Sequence, residues 1–559
     1  MITIFTKKRS ARSSWFRNVV ALAAALLIVP AYGFCITWAG DSIPARLSIQ
    51  PFSFDLVINL ARDLARVPYI DPNASQPDAI RNITREQWEK ISWHSEARLW
   101  HDEGLPFEIS FHHAGAAYSR TVLINIVEDD IARPFAFTPA FFDYPNKELP
   151  AQLVDVDAGF AGFTLFQSFD TEKGPDELRE KDEIASFLGA SYFRSRGRQS
   201  RYGIHARGLA VNTAHPDGEE FPYFREFWLE KPVQGATSIV IYALMDSPSI
   251  TGAFRMEFIP GTSTITDVDA RFFPRPKSGT SAKLGFAPLT SMFLYSETDN
   301  GRTGDYRPEV HNSDGLLFQD AQENWHWVPL SNPERLAVSR FSLENPRLLG
   351  LMQRDNVFDH YQDLAARYDR RPSLMVEPQG QWGAGQIELF EIPASEDFHS
   401  NIVAFWTPSE ETLAAANNEK DDGFALAYRL YWMTPGVTPH DLGRATATRM
   451  RMLPANDAMQ FIVDFEGEKL NSLPADTGLA CVLEVPEQYP VLERRLEKNE
   501  VTSGWRLVFT VRCPPKKGLL GGLLNRSSGN DSHQFKAMLK RGENLPESLT
   551  ETWIFDLHH

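Results

Sequence analysis

Apolar and polar residues alternate with a period of two in the clearest segments of this chain. In Val268-Asp269-Ala270-Arg271-Phe272 every second residue is apolar, and Phe424-Ala425-Leu426-Ala427-Tyr428-Arg429-Leu430-Tyr431-Trp432 repeats the pattern, as a strand with one buried face requires. The other face of the first, with Asp267, Asp269 and Arg271, is then wet or lines a groove. Val122 to Val127 and Ser238 to Met245 are short, β-branched and bounded by turn formers, so they also read as strands. Near the start the period is helical instead. Leu56, Val57, Leu60, Ala61 and Leu64 share a face of Phe54 to Leu64, and Thr84 with Gln87 has capping-box spacing before Trp88 and Ile91. Many strands without long helices between them predict an all-β architecture.

A Pro-rich stretch, Thr434-Pro435-Gly436-Val437-Thr438-Pro439, follows the last of these strands and reads as a linker. Beyond it, Phe461 to Phe465, Leu479 to Val485, Trp505 to Cys513 and Thr550 to Phe555 are spaced as in a small immunoglobulin-like sandwich. Gly518 to Leu524 and Asn525 to Asn530 read as a flexible loop insertion. Length agrees with two domains, since 559 residues exceed what one core usually supports.

The amino terminus stands apart from this pattern. Lys7, Lys8, Arg9, Arg12 and Arg17 precede an apolar run from Val19 to Val29, and small residues follow, so residues 1–40 read as a cleaved export signal or a retained anchor. Both alternatives place the rest outside the cytoplasm. Cys35 lies in that leader, which leaves Cys481 and Cys513 on strand-like segments, either as a disulfide or as two buried thiols. The formal net charge of −17, with no acidic tail, disfavours nucleic acid or an anionic membrane surface as partner and is compatible with a neutral ligand. No Cys/His metal-ligand spacing is present, and neither metal nor cofactor is implied.

Polar groups are densest in Tyr306-Arg307-Pro308-Glu309-Val310-His311-Asn312-Ser313-Asp314-Gly315-Leu316. By residue type this is either a solvated turn or a loop that binds something. Followed by Trp325-His326-Trp327-Val328-Pro329-Leu330, it resembles the signature of the periplasmic glucan biosynthesis family (OpgG/OpgD, MdoG). Gly159 to Phe163, Ser186 to Arg194, Ala206 to Ala210, Asp246 to Ala253, Arg371 to Pro378 and Asn401 to Trp406 agree in order, so the similarity runs from about Phe52 to about Trp432.

The resemblance implies a large β-sandwich of the galactose-mutarotase type over residues 48–432, a smaller immunoglobulin-like sandwich over 440–559, and a cleft on the larger one that handles β-1,2-linked glucan. Some members are similar to inverting glycoside hydrolases, which need one carboxyl group as acid and another as base. Aligned on the family, those positions read Asn312 and Ser400 here. An amide is no base near neutral pH and a serine hydroxyl is a very weak acid, so efficient hydrolysis is not expected. Asp314 and Asp397 are the candidate substitutes, with Glu396 nearby.

Arg307, Glu309, His311, Asn312, Tyr368, Arg371, Glu377 and Trp382 match family positions that offer donors, acceptors and an aromatic platform for a sugar. Scaffold ion pairs or core packing are the alternative roles, and His360 and Tyr361 are placed near the cleft. The implied partners are β-1,2-glucan and an inner-membrane glucan synthase. The expected role is glucan binding without efficient turnover, and the alternative is a β-1,2-glucan hydrolase or transglycosylase using Asp314 and Asp397.

Overall fold

A computed structural model describes residues 49–558 apart from 73–76, 145–158, 170–180, 277–281, 298–303, 418–422, 454–456, 515–531 and 542–546. The leader over 1–40, Cys35 and the loop insertion at Gly518 to Asn530 lie outside the described residues. Among the described residues no helix is long and apolar enough to cross a membrane.

The all-β expectation holds. One sheet follows a path of fifteen strands and a second a path of nine, with Ala210–Val211 attached to the side of Leu284–Ser291. Their inner faces meet in an aromatic core: Phe163 of the second sheet stands edge-on to Phe227 of the first at 5.0 Å, and Phe187 to Phe258 at 5.7 Å. Strand Thr264–Pro274 shows how the alternation is used. Thr264, Thr266, Val268, Ala270 and Phe272 are buried, while Asp267 on the outer face takes a bidentate pair from Arg429 at 2.6 and 2.8 Å.

The predicted helix is Phe54–Ala65, capped by Ser53, and it covers the outer face of the first sheet with Val57, Ala61 and Leu64. Its free carbonyl end is closed by a cation, since Arg275 donates to Leu64 O at 2.6 Å and pairs with Asp246 at 2.6 Å. Thr84 and Gln87 form the predicted capping box.

Four adjacent strands of the first sheet, and the end of Phe424–Met433 beside them, are buried on both faces. Leu316, Phe318, Val328, Leu349, Leu351, Leu374, Val376, Leu430 and Trp432 point into the main core. Their neighbours Leu317, Trp325, Trp327, Met352, Met375 and Met433 point into a second core with Phe461, Phe509, Phe535 and Trp553. Period-two alternation fails as a signal here because both positions are apolar.

The sheet also continues past these strands. Trp325–Pro329 pairs in parallel with the carboxyl-terminal strand Thr552–His558, His326 opposite Thr552 and Trp327 opposite Trp553. The path then passes to Ser532–Arg541 and Leu479–Glu484. Across the second core lies a four-stranded sheet, in the order Arg444–Leu453, Ala458–Glu466, Trp505–Arg512, Val491–Lys498. Thr434 to Pro439 is irregular, as expected of a connection. Cys481 and Cys513 are both free thiols, and burial pushes Cys481 up to about 11.

One ion pair ties the carboxyl-terminal strands to the main sandwich. Glu551 is fully buried and takes both guanidinium nitrogens of Arg354, at 2.6 and 2.8 Å, with His440 at 3.1 Å and the Ala445 amide at 2.9 Å. Arg354 in turn stacks on Trp327 at 3.5 Å from the ring centre. Trp327 covers Gly315 so closely that an added Cβ would stand 2.1 Å from the ring, so only glycine fits there.

Burial alone would raise the Glu551 pKa, but the Arg354 charge and the hydrogen bonds from His440 and Arg354 outweigh it and hold it at about 2. Glu551→Gln leaves Arg354 buried without a counter-charge and is expected to cost about 3–5 kcal/mol in chemical unfolding. Because the folded pKa lies below the unfolded one of about 4.3, this contribution is complete above that value and fades as pH falls toward about 2. The wild-type and Glu551→Gln stabilities should therefore converge in acid, and a gap independent of pH would exclude this origin.

Candidate functional site

The polar segment found in the sequence is no solvated turn. Val310–His311 forms a short strand against Phe293–Tyr295, and Val310, His311 and Ser313 are fully buried. Gln353 organises the surroundings: its amide NH2 donates to His311 O at 3.2 Å, Tyr361 Oη at 3.0 Å and Tyr368 O at 3.1 Å. The amide oxygen is thereby left to accept from His311 Nδ1 at 2.9 Å, and Nε2 faces the Glu309 carboxylate at 3.0 Å. Carboxylate and amide oxygens at the two ring nitrogens favour the protonated form of His311. Burial pulls its pKa down, but the Glu309 hydrogen bond and the Asp314 and Glu309 charges reverse that, so the net direction is up.

Asn312 and Asn401, the chain neighbour of Ser400, bond to adjacent residues of one piece of backbone. The Asn312 amide donates to Met292 O at 2.8 Å, and Asn401, next to Ser400, brackets Phe293 with bonds of 2.9 Å to its N and O. Ser400 itself is exposed, and Asn312 Oδ1 is buried with no hydrogen-bond donor among the described residues.

Both candidate substitute carboxylates are held by other groups. Asp397 accepts from Arg307 at 2.8 Å and from the Tyr368 hydroxyl at 3.4 Å. Asp314 Oδ2 accepts from the Arg354 and Asp355 amides at 2.9 and 3.0 Å, while its Oδ1 is buried with no donor among the described residues. Burial raises the Asp314 pKa, partly offset by His311 and Arg354.

Arg307 is a hub. It pairs with Asp305 at 2.7 Å, Asp363 at 3.2 Å and Asp397 at 2.8 Å. The Asp305 hydrogen bond drives the Arg307 pKa up, and the same bond drives Asp305 down. Tyr368 is buried beside this group and is pushed up to about 12 by burial and then by Asp397. Arg371 donates to Ala366 O at 2.8 and 3.1 Å and to Tyr202 O, so it fastens loop backbone. Glu377 accepts from Tyr431 at 2.6 Å, so it and Arg371 have separate partners. Trp382 is a core residue, 5% exposed, packed near Trp406 and Tyr428 and donating to Ala427 O, and its burial leaves no open platform for a sugar.

Glu309, Asp314 and His360 reach a cleft of about 730 Å³. Glu297 and Asp355 complete this wall, and Arg444, Thr446, Arg449 and Arg506 from the carboxyl-terminal strands form the other. Asp464 holds Arg449 at 3.0 Å and Arg506 at 2.7 Å, so the second wall is a fixed charge lattice. Sequence reasoning missed this wall. Its residues sit on strands outside the recognised motifs, and only the fold brings them opposite the loop. Asp305 and Asp363 were missed because nothing but their shared contact with Arg307 marks them.

Fold and site define an all-β protein in which a buried polar loop borders a cleft walled by carboxylates on one side and guanidiniums on the other. The chain belongs to the family described as "Periplasmic glucan biosynthesis protein, MdoG", whose model matches residues 52–557. It is 38% identical over 514 residues to "Glucans biosynthesis protein G" of Ralstonia nicotianae, covering 90% of this chain and 95% of that one. Proteins of the same name from Serratia proteamaculans and Pseudomonas paraeruginosa are 36% and 37% identical, covering 93% and 91% of this chain and 97% and 93% of theirs.

Replacing Arg307 by Met leaves the Asp305, Asp363 and Asp397 carboxylates facing one another without their shared cation. The expected loss is roughly 2–4 kcal/mol in urea unfolding. Asp397→Asn, which leaves Arg307 two carboxylates, should cost less than about 1 kcal/mol. Equal losses in the two variants would mean that Arg307 is not the organising cation.

Proposed function

We propose that this protein works in periplasmic glucan biosynthesis as a glucan-handling factor. It binds the β-1,2-linked backbone in the cleft that the main sandwich shares with the carboxyl-terminal strands and passes it on, without efficient hydrolysis, beside an inner-membrane glucan synthase. The biosynthetic role and the periplasm follow the family and the names of its relatives. The observation that carries the non-hydrolytic part is that Asn312 and Ser400, at the positions the family resemblance assigns to the base and the acid, carry no carboxyl group; Asn312 N bonds Met292 O, and Asn401 beside Ser400 bonds Phe293. Loss of a general acid or base costs on the order of 100- to 10,000-fold each. The large polar cleft and its fixed donors and acceptors support retained binding.

One observation favours the alternative of a hydrolase or transglycosylase using Asp314 and Asp397. Asp314 lines the cleft and keeps one oxygen without a hydrogen-bond donor among the described residues.

Purified protein incubated with linear β-1,2-glucan should bind it in a titration while chain length and reducing ends stay constant. Shortened or rearranged chains, lost in Asp314→Asn, would establish the enzyme instead. Absence of any affinity for the glucan would overturn both readings.

A further inference from the structure

The wall of the cleft formed by the main sandwich gathers carboxylates in excess of its cations. Glu297, Glu309, Asp314 and Asp355 all act on the buried Tyr361 hydroxyl, whose pKa rises first through burial and then through these charges. Arg354, the guanidinium on this wall, is bound to Glu551 on both sides of its fork. Glu297 is itself raised, by burial and then by the Glu309 and Asp314 charges.

We propose that Glu309, Asp355 and His360 bind one divalent transition-metal ion of the Mn²⁺ or Zn²⁺ kind at this wall. One donor atom from each lies within 4.8 Å of the other two. Two carboxylates and an imidazole suit such ions, whereas Ca²⁺ and Mg²⁺ favour all-oxygen sets.

A separate observation points to the same place. Asp314 lines the same cleft and accepts the Asp355 backbone amide at Oδ2, while its buried Oδ1 has no donor among the described residues. A buried acceptor without a donor is costly, and positive charge gained on this wall lowers that cost.

The ligands are also supported from behind, as metal ligands usually are. Glu309 is held by His311, which is held by Gln353. The Glu309 amide donates to His360 O at 3.0 Å and fastens the two ligand segments together. Asp355 Oδ1 is occupied by the Val357 amide at 2.8 Å, which leaves Oδ2 for the ligand role. That oxygen is hydrogen-bonded to His360 Nδ1, and a cation takes the place of the shared proton. The chain spacing conceals this set, because Glu309 comes from the polar loop and its partners from the segment after Gln353.

The assignment does not depend on what the cleft binds and is tested without glucan. Chelator-stripped protein is titrated with Mn²⁺, free ion being followed by electron paramagnetic resonance, and melting is followed in parallel with Zn²⁺. One equivalent should be taken up and Tm should rise with metal concentration. His360 is half-exposed, so His360→Ala should fold normally and weaken uptake at least about tenfold. Glu309→Gln is the second variant and should do the same. No stoichiometric uptake at millimolar Mn²⁺, or uptake unchanged in both variants, would overturn the proposal.

Discussion

The arrangement of this molecule depends on how Arg354 is held. Its guanidinium lies against Trp327 and is gripped by Glu551, the carboxylate fully buried and the guanidinium nearly so. Such a pair is costly to desolvate and adds little net stability over an apolar substitute, so its value lies in geometry. It forces the carboxyl-terminal strands to meet the main sandwich in one position. The same Arg354 contributes its amide to Asp314, so the pair that fixes the carboxyl-terminal strands also fixes the cleft wall.

That coupling explains how the polar loop keeps its shape with Asn at position 312 and Ser at position 400. The loop around His311 is stabilised by Gln353, Glu309 and the strand pairing with Phe293, none of which needs a carboxylate at position 312. Asn312 keeps the backbone bond to Met292 that holds the turn. The groups that hold the loop in shape are thus separate from the side chain at position 312, which can vary without unfolding the site.

Much of the fold was legible where one face of a strand is wet. The strands at Thr264–Pro274, Phe424–Met433 and Ala458–Glu466 were visible for that reason, as was the helix at Phe54–Ala65 with its single apolar face. Arg444–Leu453 and Val491–Lys498 escaped because they are edge strands dense in Arg and Glu, with too few buried residues to set a period. In the site, the polar loop was legible as a place but its burial was not, since nothing local announces that Gln353 will close over His311. Trp382 illustrates the opposite error: a tryptophan inside a recognised motif is as consistent with packing as with a ligand, and only its neighbours decide.

The parallel pairing of Trp325–Pro329 with Thr552–His558 bears on how the molecule comes into being. Parallel strands distant in the chain are slow to meet, because a long loop must close before any contact rewards it. Here the partner strand lies far downstream, after the other described strands that share the second core. Trp327, Leu317 and Met375 therefore stay uncovered on one side until Thr552–His558 has been made and has paired, and the second core cannot close early. Until that pairing forms, an apolar sheet face stands open on the nascent chain.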